Sequence, residues 1–138
     1  MLKNYKLKQY DGEHPAMYSY IAPFAMDRKV LREFDGYPII TSDKHQWFLL
    51  FDNGDPIAFL SLEVQKKGVQ INNTYVVPDY RGKGIHEELI KQGLDWCKNK
   101  GHTHIEVDCL DTSLNTFKKF GFKVKKSYVK WNRLTLDL

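Results

Sequence analysis

Two strand-like runs on either side of an Asn-Gly pair constrain the fold of this chain more than any other feature. Residues 47–51 read Trp-Phe-Leu-Leu-Phe, and residues 56–64 form a second run rich in apolar side chains. Asn53 and Gly54 lie between them, and this dipeptide accepts the positive φ angles that a tight hairpin turn requires. A further turn at residues 66–68 leads to a strand over 69–77, so the sequence predicts a three-stranded antiparallel meander.

The rest of the chain alternates between strand and helix patterns. Residues 4–9 alternate between apolar and polar side chains, which predicts a first strand. Residues 15–34 carry apolar side chains at helical spacing, and Pro23 is expected to divide them into two helices or to kink one. Residues 84–99 have one apolar and one charged side, which predicts an amphipathic helix. The remaining predicted elements are a strand over 104–110, a short helix over 114–120, and two closing strands over 122–131 and 134–138.

A meander followed by a strand–helix–strand unit predicts the fold class. We expect an α/β (α+β) fold, with a mixed, mostly antiparallel central sheet of six to seven strands flanked by about four helices. The chain has 138 residues, about the length of one domain, and no Pro/Gly/Ser-rich linker divides it. Residues 1–138 are therefore expected to form a single domain. The hydrophobic content of 42% excludes a disordered chain, which lacks the apolar surface to offset ordering entropy.

Composition also limits the partners and the compartment. No apolar run approaches the ~20 residues that a membrane span needs, and residues 1–7 are charged and alternating, unlike a signal peptide. Cys97 and Cys109 cannot build a disulfide framework. We therefore expect a cytoplasmic chain with buried, reduced cysteines and no membrane partner. The formal net charge of +4 comes mostly from lysine, which is typical of a solvated surface, so nucleic acid is not an expected partner.

The segment from Val76 to His86 joins the third meander strand to the long helix and carries the clearest chemistry. Pro78 ends the hydrogen bonding of the strand, while Gly82 and Gly84 allow a tight turn and leave room for a close ligand. The segment leads into the first turn of a helix, where unpaired N–H groups attract phosphate or pyrophosphate. It contains neither a Walker motif nor the Gly-x-Gly-x-x-Gly motif of dinucleotide-binding proteins.

These residues resemble the GNAT superfamily of acyl-CoA N-acyltransferases. The pyrophosphate motif of that family is Arg/Gln-x-x-Gly-x-Gly/Ala after a strand ending Val-x-Pro-x-Tyr, and residues 76–86 read Val-Val-Pro-Asp-Tyr-Arg-Gly-Lys-Gly-Ile-His. Residues 117–122, Phe-Lys-Lys-Phe-Gly-Phe, look like the family signature Tyr-x-Lys-x-Gly-Phe. The predicted order of elements also matches the family over nearly the whole chain.

The resemblance implies an N-acetyltransferase without a metal. It implies that acetyl-CoA, the acyl-donor cosubstrate, binds between the fourth and fifth strands, and that a primary amine attacks the thioester directly in a ternary complex. The fourth strand would pair with pantetheine, the glycine loop would hold the pyrophosphate, residues 107–110 would form the other wall, and Lys118 and Lys119 would approach the adenosine 3′-phosphate. The residues implied to contact acetyl-CoA are Tyr75, Val76, Val77, Arg81, Gly82, Lys83, Gly84, Ile85, His86, Phe117 and Lys119.

Two residues depart from the acetyl-CoA motifs of the family. His86 replaces a small residue, and its ring is expected to be a tolerated surface imidazole or else to approach a phosphate. Phe117 replaces a tyrosine whose phenol is commonly proposed to protonate the departing thiolate, and phenylalanine cannot donate a proton. Tyr128, a water or a substrate group could replace that phenol. Alternatively, Phe117 is a core residue of a short amphipathic helix.

The general base is a further departure. Residues 72–74, Asn-Asn-Thr, stand where the family often has a glutamate, and asparagine can orient an amine or a water but cannot take its proton. Glu63, Glu106 and Asp108 are alternatives, although ion pairing is the commoner role of such carboxylates. The catalytic residues are therefore unassigned. The candidates are Asn72, Asn73, Glu106, Asp108 and Tyr128. A metal site is not expected at His102-x-His104, because no third ligand stands at a recognisable spacing.

The acceptor amine cannot be identified from the sequence. Its pocket is expected between residues 15–45 and the C-terminal strands, and Tyr18, Tyr20, Phe24, Trp47 and Tyr128 are candidates to line it. One alternative function is a catalytically weak or inactive acyl-CoA-binding module. Another is a nucleic-acid-associated protein that uses the basic stretch of Lys118, Lys119, Lys123, Lys125, Lys126 and Lys130. A monomer and a homodimer are both compatible with the sequence.

Overall fold

The computed structural model describes residues 4–138, which form one seven-stranded sheet and four α-helices. Residues 1–3, which enter the argument against a signal peptide, lie outside the described residues. The strands are β1 (Tyr5–Asp11), β2 (His45–Asp52), β3 (Asp55–Gln65), β4 (Gly68–Val76), β5 (His104–Leu110), β6 (Lys123–Ser127) and β7 (Trp131–Asp137). The helices are α1 (Met17–Ala25), α2 (Arg28–Glu33), α3 (Ile85–Asn99) and α4 (Leu114–Lys119).

The strands lie in the order β1-β2-β3-β4-β5-β7-β6. Neighbouring strands are antiparallel except for β4 and β5, which are parallel. The pair is parallel because α3 carries the chain back to the end of the sheet where β4 begins. β5 therefore runs in the same direction as β4. The prediction of a mixed, mostly antiparallel sheet of six to seven strands with about four helices is confirmed.

The hairpin between β2 and β3 forms at the predicted turn. Asp52 pairs with Asp55, and the two residues between them, Asn53 and Gly54, have φ angles of 51° and 84°. Two successive positive φ angles are typical of a type I′ turn, whose twist matches that of the flanking strands. This turn fixes the register of the meander and therefore decides which side chains of β3 and β4 share a face.

Helices cover both faces of the sheet. One face packs against α3, with Leu60 and Leu62 of β3 meeting Leu89 of the helix in one buried cluster. The other face packs against α1 and α2, with Trp47 and Phe59 buried in a second cluster. Both faces of the central strands are therefore buried against helices.

The structure corrects two predicted boundaries. Pro23 lies inside α1, and the break between helices comes at Asp27, whose side chain accepts a hydrogen bond from Lys29 N–H at 2.8 Å. A satisfied N-cap starts α2 there, which the proline alone did not indicate. The turn between the closing strands centres on Tyr128 to Lys130, where Lys130 has a φ of 72°, so β7 begins at Trp131 rather than at residue 134.

Candidate functional site

A cleft opens where β4 and β5 separate. The two strands pair only from Val69 to Ile71 and from Ile105 to Val107. Beyond these residues β5 stays paired with β7, and a cleft of about 980 Å³ lies between β4 and β5. Residues 70–76 of β4 form one wall, and residues 107–110 of β5 form the other. Unpaired backbone groups on the inner edges of both strands are therefore available to a ligand.

A β-bulge shapes the β4 wall. Ile71 pairs with Leu62 and Asn73 pairs with Ser61, so Asn72 is an extra residue in β4. A bulge of this kind turns two successive side chains toward the same face. The Asn72 side chain bonds Glu63. Asn73 lies two residues before Tyr75, which belongs to the cluster under α1 and α2, so both asparagines face that layer.

The glycine loop closes one end of the cleft with backbone N–H groups. Gly82 and Gly84 have φ angles of 77° and 80°, a left-handed conformation that favours glycine. A Cβ placed at Gly82 would have no atom within 4 Å, so the space beside it is open. The first bond of α3 runs from Glu88 N–H to the Gly84 carbonyl, which leaves the N–H groups of residues 85–87 without helical partners.

Most residues that the resemblance implies for acetyl-CoA lie along this cleft. Tyr75, Val76, Arg81, Gly82, Gly84, Ile85, His86 and Phe117 line it, whereas Val77, Lys83 and Lys119 do not. The ammonium of Lys83 instead lies 5.5 Å from the centre of the Tyr80 ring. The two basic residues of the loop therefore differ in position, and Arg81 is the one at the cleft.

Arg81 joins the loop to the opposite side of the cleft. Its guanidinium contacts Glu33 at 2.7 Å, donates to the Val76 carbonyl at 2.8 Å, and lies 5.3 Å from the centre of the Tyr75 ring. The Tyr75 hydroxyl also donates to Glu33 at 3.3 Å. Burial and the negative charge of Glu33 raise the pKa of Tyr75, so this phenol stays protonated. The positive charge of Arg81 at the mouth of the cleft is therefore ion-paired with Glu33.

The expectation of a surface imidazole at His86 is wrong. Its Nε2 atom is buried and has no hydrogen-bond partner among residues 4–138, and its ring stands edge-on to Phe117 at 5.7 Å between centroids. Burial lowers the pKa of His86 against the weaker opposing effect of Glu87, so the ring is neutral near pH 7. The ring turns inward because Phe117 and Phe122 offer it an apolar surface to pack against.

Phe117 is both a core residue and part of the cleft wall. It is 1% exposed, and its ring packs edge-on against Phe122 at 5.4 Å. The interpretation as a core residue of a short helix therefore holds, and its place in the wall agrees with the position that the resemblance gives it. Phenylalanine itself carries no hydroxyl group, although Thr112 and Ser113, just before α4, also line the cleft.

A polar cluster missed by the sequence analysis supports Asn72. Its Nδ2 atom lies 2.9 Å from His45 Nε2 and 3.2 Å from Glu63 Oε1, while His45 Nδ1 lies 2.8 Å from Ser42 Oγ. His45 is 4% exposed, and burial lowers its pKa despite the opposing charges of Glu63 and Asp43. The sequence did contain one indication of this cluster. His45 lies two residues before Trp47 in the same strand, so its side chain is expected on the same face as that of Trp47.

The remaining catalytic candidates differ in their access to the cleft. Asp108 lines it, but both of its oxygens accept from Arg133, at 2.9 and 3.2 Å. Glu106 does not line the cleft and lies 3.6 Å from Lys125. Tyr128 stacks on Trp131 at 3.9 Å, outside the lining residues. Asn72, Asn73 and Asp108 are thus the candidates at the cleft.

The cleft lining includes aromatic residues that were not among those expected for the acceptor pocket. Phe34, Tyr37, Tyr75 and Trp131 line it. Trp47 is fully buried beneath α1, and Tyr18 is 62% exposed on the outer side of that helix. None of the five candidates for the acceptor pocket is in the cleft lining, and the full burial of Trp47 excludes that residue. For Tyr18, Tyr20, Phe24 and Tyr128 the expectation stays a prediction.

Other ligand and partner chemistry receives no support within residues 4–138. In this part of the chain, no group of three or more His, Cys, Asp or Glu side chains could hold a metal ion. No helix in the same range is long and apolar enough to cross a membrane. Burial raises the pKa of Cys97 to about 12 and the pKa of Cys109 to about 11, so neither thiol is an activated nucleophile.

Comparison with known proteins gives a family match over most of the chain. The model of the acetyltransferase (GNAT) family matches residues 9–122. An uncharacterised N-acetyltransferase of Methanocaldococcus jannaschii is 26% identical over 106 residues, which are 70% of this chain and 47% of that relative. The match thus spans about half the length of the curated relative.

Solved structures share the fold. A protein of Lactobacillus plantarum described as an N-acetyltransferase superposes with a TM-score of 0.80, 18% identity and 99% coverage of both chains. A GNAT family acetyltransferase from Elizabethkingia anophelis, solved with acetyl-CoA bound, superposes with a TM-score of 0.70, 16% identity and 99% coverage of both chains. At these identities the likeness supports the fold alone.

Proposed function

Because this chain belongs to the GNAT family of acetyltransferases, we propose that it moves an acetyl group from acetyl-CoA to a primary amine in a ternary complex. The observation that carries the proposal is the cleft between the diverging strands β4 and β5, closed at one end by the glycine loop of α3. A cleft of this shape suits an extended ligand with a polyanionic end. We further propose that the chain acts as a single cytoplasmic domain.

The described residues fit acetyl-CoA. The left-handed glycines leave open space beside Gly82, and the free N–H groups of residues 85–87 suit a pyrophosphate. The inner edge of β4 offers backbone groups to the amides of pantetheine. Buried polar atoms of Asn73, Thr74 and His86 have no hydrogen-bond partner in the described part of the chain, and unpaired buried groups of this kind are costly unless a ligand or water meets them.

The chemistry needs little from charged side chains. Bound acetyl-CoA would supply an activated thioester, with the new C–N bond forming as the C–S bond breaks and the amine proton passing to the thiolate through solvent. Holding the amine near the thioester supplies much of the rate by proximity. Backbone N–H groups at the edge of β4 can polarise a carbonyl oxygen. Asn72 and Asn73 cannot accept the proton, so the amine must arrive uncharged.

A second candidate function is a non-catalytic acyl-CoA-binding module. It is favoured by Phe117, which carries no phenol, and by Asp108, whose two oxygens are occupied by Arg133. It shares the glycine loop and the cleft with the enzyme, so binding alone cannot separate the two functions. Acceptor-dependent release of free CoA does separate them.

Calorimetric titration with acetyl-CoA, with dephospho-CoA alongside, tests the proposal first. We expect saturable binding of acetyl-CoA, followed by amine-dependent release of free thiol when primary amines are added. An affinity for dephospho-CoA equal to that for acetyl-CoA would mean that Lys118 and Lys119 do not contact the 3′-phosphate. Absence of acetyl-CoA binding would overturn both functions, and binding without thiol release across a broad amine set would favour the binding module.

A further inference from the structure

The Glu63 carboxylate fixes the orientation of the Asn72 side chain. A carboxylate can only accept hydrogen bonds, so the Asn72 atom that lies 3.2 Å from Glu63 Oε1 must be the amide nitrogen. The reversed amide would place two oxygens against each other at that distance. The Nδ2 atom is therefore held toward Glu63, with its second hydrogen directed at His45 Nε2, 2.9 Å away.

This orientation in turn fixes the tautomer of His45. Its Nε2 atom must accept from Asn72, so the ring proton is on Nδ1 and donates to Ser42 Oγ at 2.8 Å. A protonated ring would set one N–H against another at the Asn72 contact. The burial of His45, which lowers its pKa, agrees with a neutral ring, although Glu63 and Asp43 oppose that effect.

Both N–H groups of Asn72 are consequently occupied, and its Oδ1 atom has no hydrogen bond to any described residue. Asn72 lines the cleft next to the point where β4 and β5 separate. It is the extra residue of the bulge, so its backbone is displaced from the regular strand. The one unpaired polar atom of its side chain is a pure acceptor at the wall of the cleft.

We propose that Asn72 Oδ1 accepts a hydrogen bond from an N–H of the acceptor amine, and that His45 and Glu63 are positioning residues that hold the carboxamide for it. The inference rests on the proposed function, because it names a residue for the amine at the same cleft. Accepting one N–H directs the amine nitrogen without removing its proton. The clamp therefore orients the nitrogen of a primary amine and acts on the amine rather than on acetyl-CoA.

A matched pair of substitutions separates positioning from folding. Glu63→Gln keeps an oxygen that can accept from Asn72, whereas Glu63→Leu removes it. The probe is whichever of putrescine, L-lysine amide and glycinamide gives the fastest CoA release with the native chain. We expect Glu63→Leu to raise KM for this amine about tenfold, as loss of one hydrogen bond allows, with acetyl-CoA affinity unchanged and Glu63→Gln close to the native chain.

Two controls accompany this pair. Asn72→Leu, which removes the accepting oxygen itself, is expected to have at least the effect of Glu63→Leu. His104→Gln, at the start of β5 and away from the cleft lining, is expected to leave the amine KM unchanged. An equal change in Glu63→Gln and Glu63→Leu would overturn the proposal, because the charge rather than the accepting oxygen would then be responsible.

Nitrogen-15 NMR supplies a readout that does not need turnover. We expect His45 in the native chain to show the Nδ1–H tautomer near pH 7, and the Asn72 side-chain amide signals to shift when putrescine is added to the free protein. Loss of the putrescine shift in Glu63→Leu would support the proposal. An Nε2–H or protonated His45, or no Asn72 shift with any of the three amines, would overturn it. Failure to bind acetyl-CoA would count against the proposed function. The NMR experiment uses the free protein, so its result tests the role of Asn72 independently of acetyl-CoA binding.

Discussion

Arg81 and Glu33 form a 2.7 Å ion pair that joins the glycine loop to helix α2 across the mouth of the cleft. Their side chains are 44% and 43% exposed, so solvent screens the pair and it contributes about 0–1 kcal/mol to folding. The pair has a larger effect on the charge that an anionic ligand meets at the cleft. Glu33 cancels the positive charge that Arg81 would otherwise offer to a polyanionic ligand.

Removing Glu33 is therefore expected to strengthen acetyl-CoA binding. Glu33→Gln removes one negative charge beside the loop, and we expect acetyl-CoA to bind about two- to fivefold more tightly at low salt. Arg81→Gln removes the positive charge and should weaken binding. Calorimetry at about 0.05 M and 0.5 M salt checks both, since the differences between variants should shrink as screening increases. Weaker binding by Glu33→Gln at low salt would mean that the ion pair orders the loop instead.

The left-handed glycines allow a test with an internal control. Gly82 and Gly54 have φ angles of 77° and 84°, and a Cβ at either would have no atom within 4 Å. Alanine at each position should therefore cost a similar amount of stability, about 1–2 kcal/mol, from backbone strain alone. Gly82 lines the cleft and Gly54 does not.

We accordingly expect Gly82→Ala to lose acetyl-CoA affinity by at least tenfold, and Gly54→Ala to keep it. Urea unfolding should show comparable losses of stability for the two variants. Equal acetyl-CoA affinity in both would argue that the phosphates do not approach Gly82, and with it that the glycine loop is only a turn.

The fold could be predicted from the sequence because its main determinants are local. Asn53 and Gly54 specify a hairpin on their own, and the apolar side of residues 84–99 specifies α3. The errors at Pro23 and near Lys130 arose where a cap or a left-handed turn decided the boundary. A non-glycine residue with positive φ, such as Lys130, leaves no mark in the apolar pattern.

A candidate site could be proposed from the sequence only where a contiguous segment carries it. The loop from Arg81 to His86 is one segment, so its motif is readable. The cluster of His45, Glu63 and Asn72 draws on three strands, and a bulge in β4 decides which side chains meet. Neither the inward turn of the His86 ring nor the Arg81–Glu33 pair has a local cause in the sequence.

The cysteines offer a test of whether the acetyl group passes through the protein. Cys109 lines the cleft, and burial raises its pKa to about 11, so the thiolate is scarce near neutral pH. Direct transfer therefore predicts that Cys109→Ala keeps most of the amine-dependent CoA release. Mass spectrometry after incubation with acetyl-CoA alone should show no added acetyl group, and a labelled Cys109 would contradict direct attack.

Phe117→Tyr distinguishes the enzyme from the binding module. The new hydroxyl would lie in the cleft wall beside His86, whose Nε2 atom has no partner. If a proton donor limits turnover, we expect kcat to rise with little change in acetyl-CoA affinity. Phe122→Tyr, which adds the same hydroxyl to the neighbouring core residue outside the cleft lining, is the matched control. A pure binder would show no CoA release in either variant.

The lowered pKa values of His45 and His86 predict how stability depends on pH. Burial lowers the pKa of both His45 and His86 in the folded chain, whereas the unfolded chain takes up their protons near the ordinary histidine pKa of about 6.5. Below that pH the unfolded state binds more protons than the folded state, so the free energy of unfolding falls as the pH falls. Above it both states are neutral and this contribution is constant.

Urea unfolding of the native chain and of His86→Gln between about pH 7.5 and pH 5.5 measures the contribution of one group. We expect the free energy of unfolding to decline less steeply in His86→Gln, because glutamine takes up no proton in either state. His45→Gln should show the same flattening, and the double variant should combine the two, since the rings belong to separate clusters. An unchanged slope in His86→Gln would mean that the ring leaves its buried position and is protonated in the folded chain as readily as in the unfolded one.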